Sequence, residues 1–485
     1  MKKRMLAIVL CALVLIGIGG KIGYDWYDNH TYIMIDGGKL RRDITELDCS
    51  GKAAVQPEQL AELTQLQKLD VRNTGMTAEQ YEELSATLPD CEILWSVPFR
   101  DGYLEMDTES LSVAGFSETD LAQISYLKKL RRVDVTGCED YALLEKLKEA
   151  RPDLDVHHTV LLGEEEYSCL VTELELENAD AYQLSAALPC LQNLNRVTFV
   201  GQRPDSEQIY AWKIAYPEVT FVWDFEVCGV STSSLATQLY LSDIAIDNVE
   251  EVEASYKYFY HLEQVEMCRC GIPSEELDAL WKRHPETRVV WEVQVGKCTL
   301  RTDVTSFMPY KFGYKGDGNR VLRDYDMAEM KYCVDIICMD MGHMEISDYS
   351  FLNYMPNMQY LILADTMGKD FSVLANLKEL KYLELFMLPF DQAEVLVGLT
   401  KLEDLNVGTT KLDNIEPLKQ MTWLKHLWLP ANKGVSGAEK RALVAALPNT
   451  VVEYRGKGST GYGWREIPNY YAMRDLLQMS YMPGK

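Results

Sequence analysis

Few side chains in this sequence are spaced to do chemistry. His157 and His158 are the one close pair among seven histidines, and neither a His-Glu-x-x-His helix nor a Gly-x-Ser-x-Gly elbow accompanies them. His158 stands six residues after Pro152, where Trp95, Trp223 and Trp291 stand after Pro89, Pro217 and Pro285. A packing role therefore outweighs metal ligation. Gly313, Gly316 and Gly318 fall in the stretch Tyr310 to Arg320, without the preceding strand and following helix that a phosphate-binding turn requires. Gly456 to Gly463 lacks the Gly-Lys-Ser/Thr order, so both stretches read as loops. Of 12 cysteines, Cys11 lies in the leader, and the other eleven show no Cys-x-x-Cys pair. Neither a zinc site nor a full disulfide framework is indicated. Buried thiols are expected, with a disulfide involving Cys268, Cys270, Cys333 or Cys338 as the alternative. The sequence thus points away from catalysis, with no cofactor and no metal expected. An envelope enzyme stays open only because catalytic triads are assembled by folding.

The elements that must position any site follow from length and charge. A chain of 485 residues exceeds what one hydrophobic core supports, so it is multidomain or repetitive. With 47% hydrophobic residues, most of it should fold. A formal charge of -26 and no clustered Lys or Arg exclude phosphate backbones, and with them nucleic acids, as partners. Lys2, Lys3 and Arg4 precede an apolar run from Met5 to Gly20, the layout of a secretory signal or signal anchor. Extended to Tyr24, the run is long enough to span a bilayer, with Tyr24, Trp26 and Tyr27 placed as interfacial aromatics. An uncleaved anchor with the C-terminus outside is expected, and a cut beside Gly17 or Gly19 with secretion is the alternative.

Repetition answers the length. Leu361, Leu383, Leu405 and Leu427 are each 22 residues apart, inside an apolar-x-x-apolar-x-apolar frame such as Leu380/Leu383/Leu385. Ile336/Met339/Met341 adds a fifth turn. Towards the N-terminus the frame comes in pairs, Ile44/Leu47/Cys49 with Leu66/Leu69/Val71 being the first. The pairs recur at 63 to 65 residues, as Leu47, Leu111, Leu174 and Leu239 show. After each pair a proline, an acidic residue and a β-rich stretch lead to a turn at Asp101-Gly102, Gly163, Gly229 or Gly296, which reads as a β-hairpin. Tyr32 to Ile35 with Asp36-Gly37-Gly38 is the first. Between strands, Thr77 and Gln80 form a possible capping box ahead of Tyr81, Leu84 and Leu88. No unit could bury its apolar side alone, so neighbours must stack.

That frame resembles the leucine-rich-repeat superfamily, and the 22-residue array is similar to bacterial surface proteins of internalin type. The resemblance covers most of residues 44 to 455. It implies an α/β repeat fold, a leucine-rich-repeat solenoid with interspersed β-hairpins, whose frame forms parallel strands on a concave face. It also implies that a residue three positions on, here Thr74, Cys138, Cys270, Thr366, Thr410 and Asn432, caps each turn. The organisation expected is a leader or anchor over 1–30, tandem modules of two repeats plus a hairpin over 31–308, an irregular junction over 309–335, the array over 336–455 and an aromatic C-terminal tail over 456–485. The tail should form a structural cap with a short amphipathic helix after Pro468.

In a parallel ladder, residues between the apolar positions point away from the core and stack about 5 Å apart. Across the array one such column reads Cys338, Tyr360, Tyr382, Asp404 and His426. The next reads Asp340, Ile362, Glu384, Asn406 and Trp428, with Phe386 one position further out. Exposed aromatics among a few polar groups are the composition of recognition sites. Tyr360, Tyr382, Glu384, Phe386, Asp404, Asn406, His426 and Trp428 are accordingly the candidate ligand-binding residues, for a protein or glycan. The alternative is that these aromatics pack against each other or the tail. The matching N-terminal column of Asp70, Asp134, Thr198 and Glu266 reads as solvated. The expected function is a surface-displayed, non-enzymatic binding protein, and a structural envelope scaffold is the alternative.

Overall fold

The computed structural model describes residues 2–35, 37–52, 56–318, 321–456 and 461–479, without the side chains of 2–12 and 14–16. Two compact units divide at Trp223/Asp224. Each is an α/β stack of leucine-rich repeats.

Unit 1 opens with a continuous helix, Lys2–Thr31. Among the described residues no helix is long and apolar enough to cross a membrane. Most side chains of the apolar run lie outside the described set. Antiparallel hairpins follow at Tyr32–Ile35/Gly38–Arg41, Ser96–Phe99/Gly102–Glu105 and Thr159–Leu162/Glu165–Ser168. Asp36, in the first turn, lies outside the described residues. Each hairpin leads into a three-stranded parallel sheet. The first joins Glu46–Asp48, Lys68–Asp70 and Glu92–Leu94.

The third strand is a finding that the pairwise frame did not foresee. The β-rich stretch after Pro89 is shared between two sheets. Glu92–Leu94 extends the parallel ladder, Trp95 turns the chain, and Ser96–Phe99 begins the hairpin. Trp95, Trp223 and Trp291 are almost fully buried at this corner, and so is His158. The Trp223 and Trp291 indoles donate to Ser206 Oγ and Ser274 Oγ at the start of the preceding helix, at 3.2 and 3.1 Å.

The connectors differ between the modules and the array. From Leu69 to its partner Ile93 the chain has 24 residues and fits the ten-residue helix Ala78–Thr87, started by the Thr77/Gln80 capping box. The 22-residue steps of the C-terminal array use single 3₁₀ turns such as Ser372–Asn376 and Pro417–Gln420, although a step of the same length from Leu111 to Val133 carries the α-helix Glu118–Ile124. The helices expected between strands are replaced in the array by tighter turns.

Unit 2 holds hairpins Asp224–Val227/Val230–Ser233 and Glu292–Val295/Cys298–Arg301, and one more three-stranded sheet. It ends in a seven-stranded parallel sheet. Those strands are Ser306–Phe307, Cys338–Asp340, Tyr360–Ile362, Tyr382–Glu384, Asp404–Asn406, His426–Trp428 and Val451–Glu453. The register is the one the 22-residue frame demands, with Leu361, Leu383, Leu405 and Leu427 side by side in the core. After each frame the chain turns through a left-handed residue, among them Asp365, Met387, Thr409 and Ala431. The next residue closes the turn in several repeats. Thr74, Thr366 and Thr410 hydroxyls donate to the carbonyls of Val71, Leu363 and Val407. The eleven described cysteines are thiols rather than disulfides, and most are buried.

Candidate functional site

The two columns of the array do lie on the side of the sheet opposite the leucines, but they do not face solvent. Tyr382 is 0% exposed, Trp428 3%, Glu384 2% and Asn406 0%, and Tyr360 and Asp404 are equally closed off. Only His426 and Phe386 are half-buried. The expectation of an exposed aromatic surface is corrected here, and the cause is the chain's own tail. Residues 461–479 cross the sheet from its last strands back to its first. They set Trp464, Ile467, Tyr470, Met473 and Leu477 onto the columns as a second apolar layer. The tail packs along these columns and covers this face of the sheet.

Aromatic and polar contacts fasten this layer. Trp464 lies 5.2 Å from Tyr382 and 5.3 Å from Trp428, ring centre to ring centre. Its indole donates to Glu384 Oε2 at 3.0 Å, the same oxygen that accepts the Tyr382 hydroxyl at 2.8 Å. Burial, with the Glu384 carboxylate beside it, holds the Tyr382 phenol well above its ordinary range, so it stays a donor. The Trp428 indole donates to the Gly461 carbonyl at 3.0 Å. Asn469 Nδ2 donates to Glu403 Oε2 and Asp404 Oδ2 at 2.8 and 2.9 Å, and the other Asp404 oxygen pairs with His426 Nδ1 at 2.6 Å. At the far edge Ser306 Oγ donates to the Leu476 carbonyl.

The tail does not fill the face completely. A cleft of about 470 Å³ remains between it and the Asp340–Ile362–Glu384 column. Met308, Tyr310, Phe386, Tyr470, Met473 and Met479 wall it, and Asp340, Glu384, His343 and Arg465 are its polar side chains. Gly316, in the loop after Tyr310, comes so close to His343 that a Cβ there would lie 2.4 Å from its own. Asp340 Oδ1 accepts the Gly342 N–H at 2.9 Å. Burial, reinforced by Glu384, pushes the Asp340 carboxyl up to about 6 against the pull of Gly342, Arg465 and His343.

Of the eight candidate residues, Glu384 and Phe386 line this cleft, whereas Tyr360, Tyr382, Asp404, Asn406, His426 and Trp428 lie along the tail-covered ladder. Asp340, Tyr310 and Arg465 were not singled out as binding residues. Asp340 was visible as an outward position, but Tyr310 and Arg465 arrive from segments outside the frame. His158 is fully buried, and desolvation takes its imidazole down to about 4, keeping it neutral. A concavity of about 270 Å³ adjoins it, with the buried Cys169 and Cys190 thiols. No group of three metal-ligating side chains occurs among the described residues.

No family model matches the sequence, and no curated protein matches it. Solved structures do. An internalin from Listeria monocytogenes is 14% identical over 86% of this chain and 83% of its own, with a TM-score of 0.25. Internalin C2 from the same organism is 21% identical over 27% of this chain and 69% of its own, with a TM-score of 0.22. A leucine-rich-repeat protein of Leptospira interrogans is 14% identical over 85% of this chain and 96% of its own, with a TM-score of 0.23. The leucine-rich-repeat fold rests on the strand ladder itself, and these likenesses accompany it.

Proposed function

We propose that this chain is a non-enzymatic binding protein of the cell surface, and that it recognises a protein or glycan along the tail-lined edge of the 22-residue array. The observation that carries this reading is the cleft beside Glu384 and Phe386, where ladder and tail leave aromatic and charged groups uncovered. Clefts of roughly 300–1,000 Å³ with apolar walls and a few convergent polar groups are the usual form of a binding site. Display at a membrane rests on Lys2 to Arg4 and the apolar run behind them. Mass spectrometry of the mature N-terminus tests that part, and a chain beginning near Gly20 in the medium would replace the anchor with secretion.

A scaffold without a ligand is favoured by one observation: the tail already occupies most of the face that the frame presents. A photo-crosslinking amino acid at position 387, exposed beside the cleft, separates the two readings from a control at exposed position 182. A partner caught at 387 and not at 182 is the expected result. Equal capture at both positions, or none, removes the macromolecular partner and favours the spacer.

A further inference from the structure

The cleft is charged in an unbalanced way. Asp340 and Glu384 stand two strands apart in the same column, about 10 Å at the backbone, on either side of Ile362. Glu384 is 2% exposed and still lines the cavity. Its Oε2 takes both hydrogen bonds, and among the described residues nothing bonds to Oε1. Asp340 likewise uses only Oδ1. Arg465 is the cation that faces the cavity, yet no ion pair joins it to either carboxylate, and its guanidinium lies 5.6 Å above the Tyr470 ring instead. Arg465 and His343 act on Asp340 only at a distance, so the two half-satisfied carboxylates have no directly paired cation among the described residues, and desolvated carboxylates gain most from one. The walls suit a cation as well, because Tyr310 and Phe386 offer π faces and Met308, Met473 and Met479 are polarisable.

We propose that this cleft binds an organic cation, a protonated primary amine on an apolar or aromatic body. The ammonium sits over Ile362 within reach of Asp340 and Glu384, and the body rests against Tyr310, Phe386 and Tyr470. The proposal rests on the reading of the array as a binding surface and gives that surface a ligand chemistry. A free amine and the lysine side chain of a bound protein share this chemistry. Ammonium binding requires the ionised carboxylates. Asp340 is faced by the Gly342 N–H, Glu384, Arg465 and His343, so affinity falls as the pH drops through about 6 and Asp340 takes up a proton.

Calorimetric titration of the full chain with phenethylammonium, 2-phenylethanol and 3-phenylpropanoate tests it. An N-acetylated Lys-Phe amide serves as the peptide arm. Saturable binding of phenethylammonium, of the peptide, or of both is expected, with the alcohol and the carboxylate at least tenfold weaker. Asp340→Asn should weaken amine binding about tenfold and abolish its pH dependence near 6, while its thermal unfolding certifies the fold. Binding by the peptide alone assigns the amine to a protein ligand, and binding by phenethylammonium alone assigns it to a small one. Equal binding of the neutral alcohol, unchanged affinity in Asp340→Asn, or no amine binding overturns the proposal. A partner crosslinked at 387 without amine binding removes only the cation. Amine binding without a crosslinked partner removes only the macromolecular partner.

Discussion

The three-stranded modules and the seven-stranded array use one strand frame and end with opposite surfaces. In the modules many outward positions are charged, and their partners come from the same repeat or from the hairpin that follows the sheet. Asp70 is held by Arg72 two residues on, and Glu266 by Arg301 at 2.7 Å. Glu173, Glu175 and Glu177 stay exposed along one strand. In the array the same positions carry Tyr360, Tyr382, Asn406 and Trp428, and a distant segment covers them. A frame therefore fixes the side of the sheet on which a residue lies, while exposure depends on what the rest of the chain lays over that side.

The largest effects should fall where the two regions differ most. Trp464→Ala removes a fully buried indole from the tail layer and should destabilise unit 2 by about 3–5 kcal/mol. The loss includes the partner of Glu384 Oε2. Tyr382→Ala should cost about as much as its inward neighbour Leu383→Ala, roughly 2–5 kcal/mol, because both side chains are 0% exposed. An equivalent outward truncation in a module, Glu175→Ala, should stay within about 0.5 kcal/mol. Urea unfolding of the four single variants checks this. A Tyr382→Ala protein as stable as Glu175→Ala would mean that the tail does not pack on the array.

The next effect is electrostatic and separates the regions by sign. Arg100 in unit 1 donates to both oxygens of the buried Asp120, at 3.1 and 2.9 Å, and Ser117 donates as well. These bonds hold the carboxyl below its ordinary 3.8. The stability they contribute is present above the unfolded pKa and is lost as the pH falls through the folded one. Asp120→Asn should remove about 1–2 kcal/mol at neutral pH, a charge-assisted bond discounted for the exposed guanidinium. Asp340 behaves oppositely. Its folded pKa of about 6 lies above 3.8, so its contribution is present below the unfolded value and is lost as the pH rises through 6. Melting curves at pH 4.5 and 7.5 should show Asp340→Asn gaining on the parent chain at the higher pH and Asp120→Asn losing most there. The same sign for both would remove the contrast.

Much of this was legible in the sequence, and the illegible part has a physical cause. Local spacing reveals the ladder, because Leu361, Leu383, Leu405 and Leu427 repeat at a fixed step and stacking enforces their register. It also reveals the Thr77 cap, a contact over three residues. It does not reveal that Trp464 meets Tyr382 across about eighty positions, because no period connects the tail to the frame. The aromatic columns were readable as apolar surface, and a tail rich in aromatics was readable as a cap. Their mutual burial is a long-range pairing. The cleft was half legible for the same reason: Glu384 and Phe386 belong to the frame, and Tyr310 and Arg465 come from outside it.

The smallest effect tests the feature that the two regions share. Every frame is followed by a left-handed turn, which the modules often give to glycine, as at Gly137, and the array gives to side-chain residues, Ala431 with φ 58° among them. An L-residue in this conformation is strained by roughly 1 kcal/mol because Cβ crowds the following carbonyl. Glycine lacks that Cβ, although it also adds entropy to the unfolded chain. Relief of strain should win where the native φ is positive, so Ala431→Gly should stabilise unit 2 by about 0.5 kcal/mol. Gly137→Ala in unit 1, at φ 80°, should lose about 1 kcal/mol. Thermal unfolding of both variants decides it. If Ala431→Gly destabilised the chain as an ordinary interior glycine does, the turn would not be strained, and the methyl group would be stabilising this corner of the array through packing.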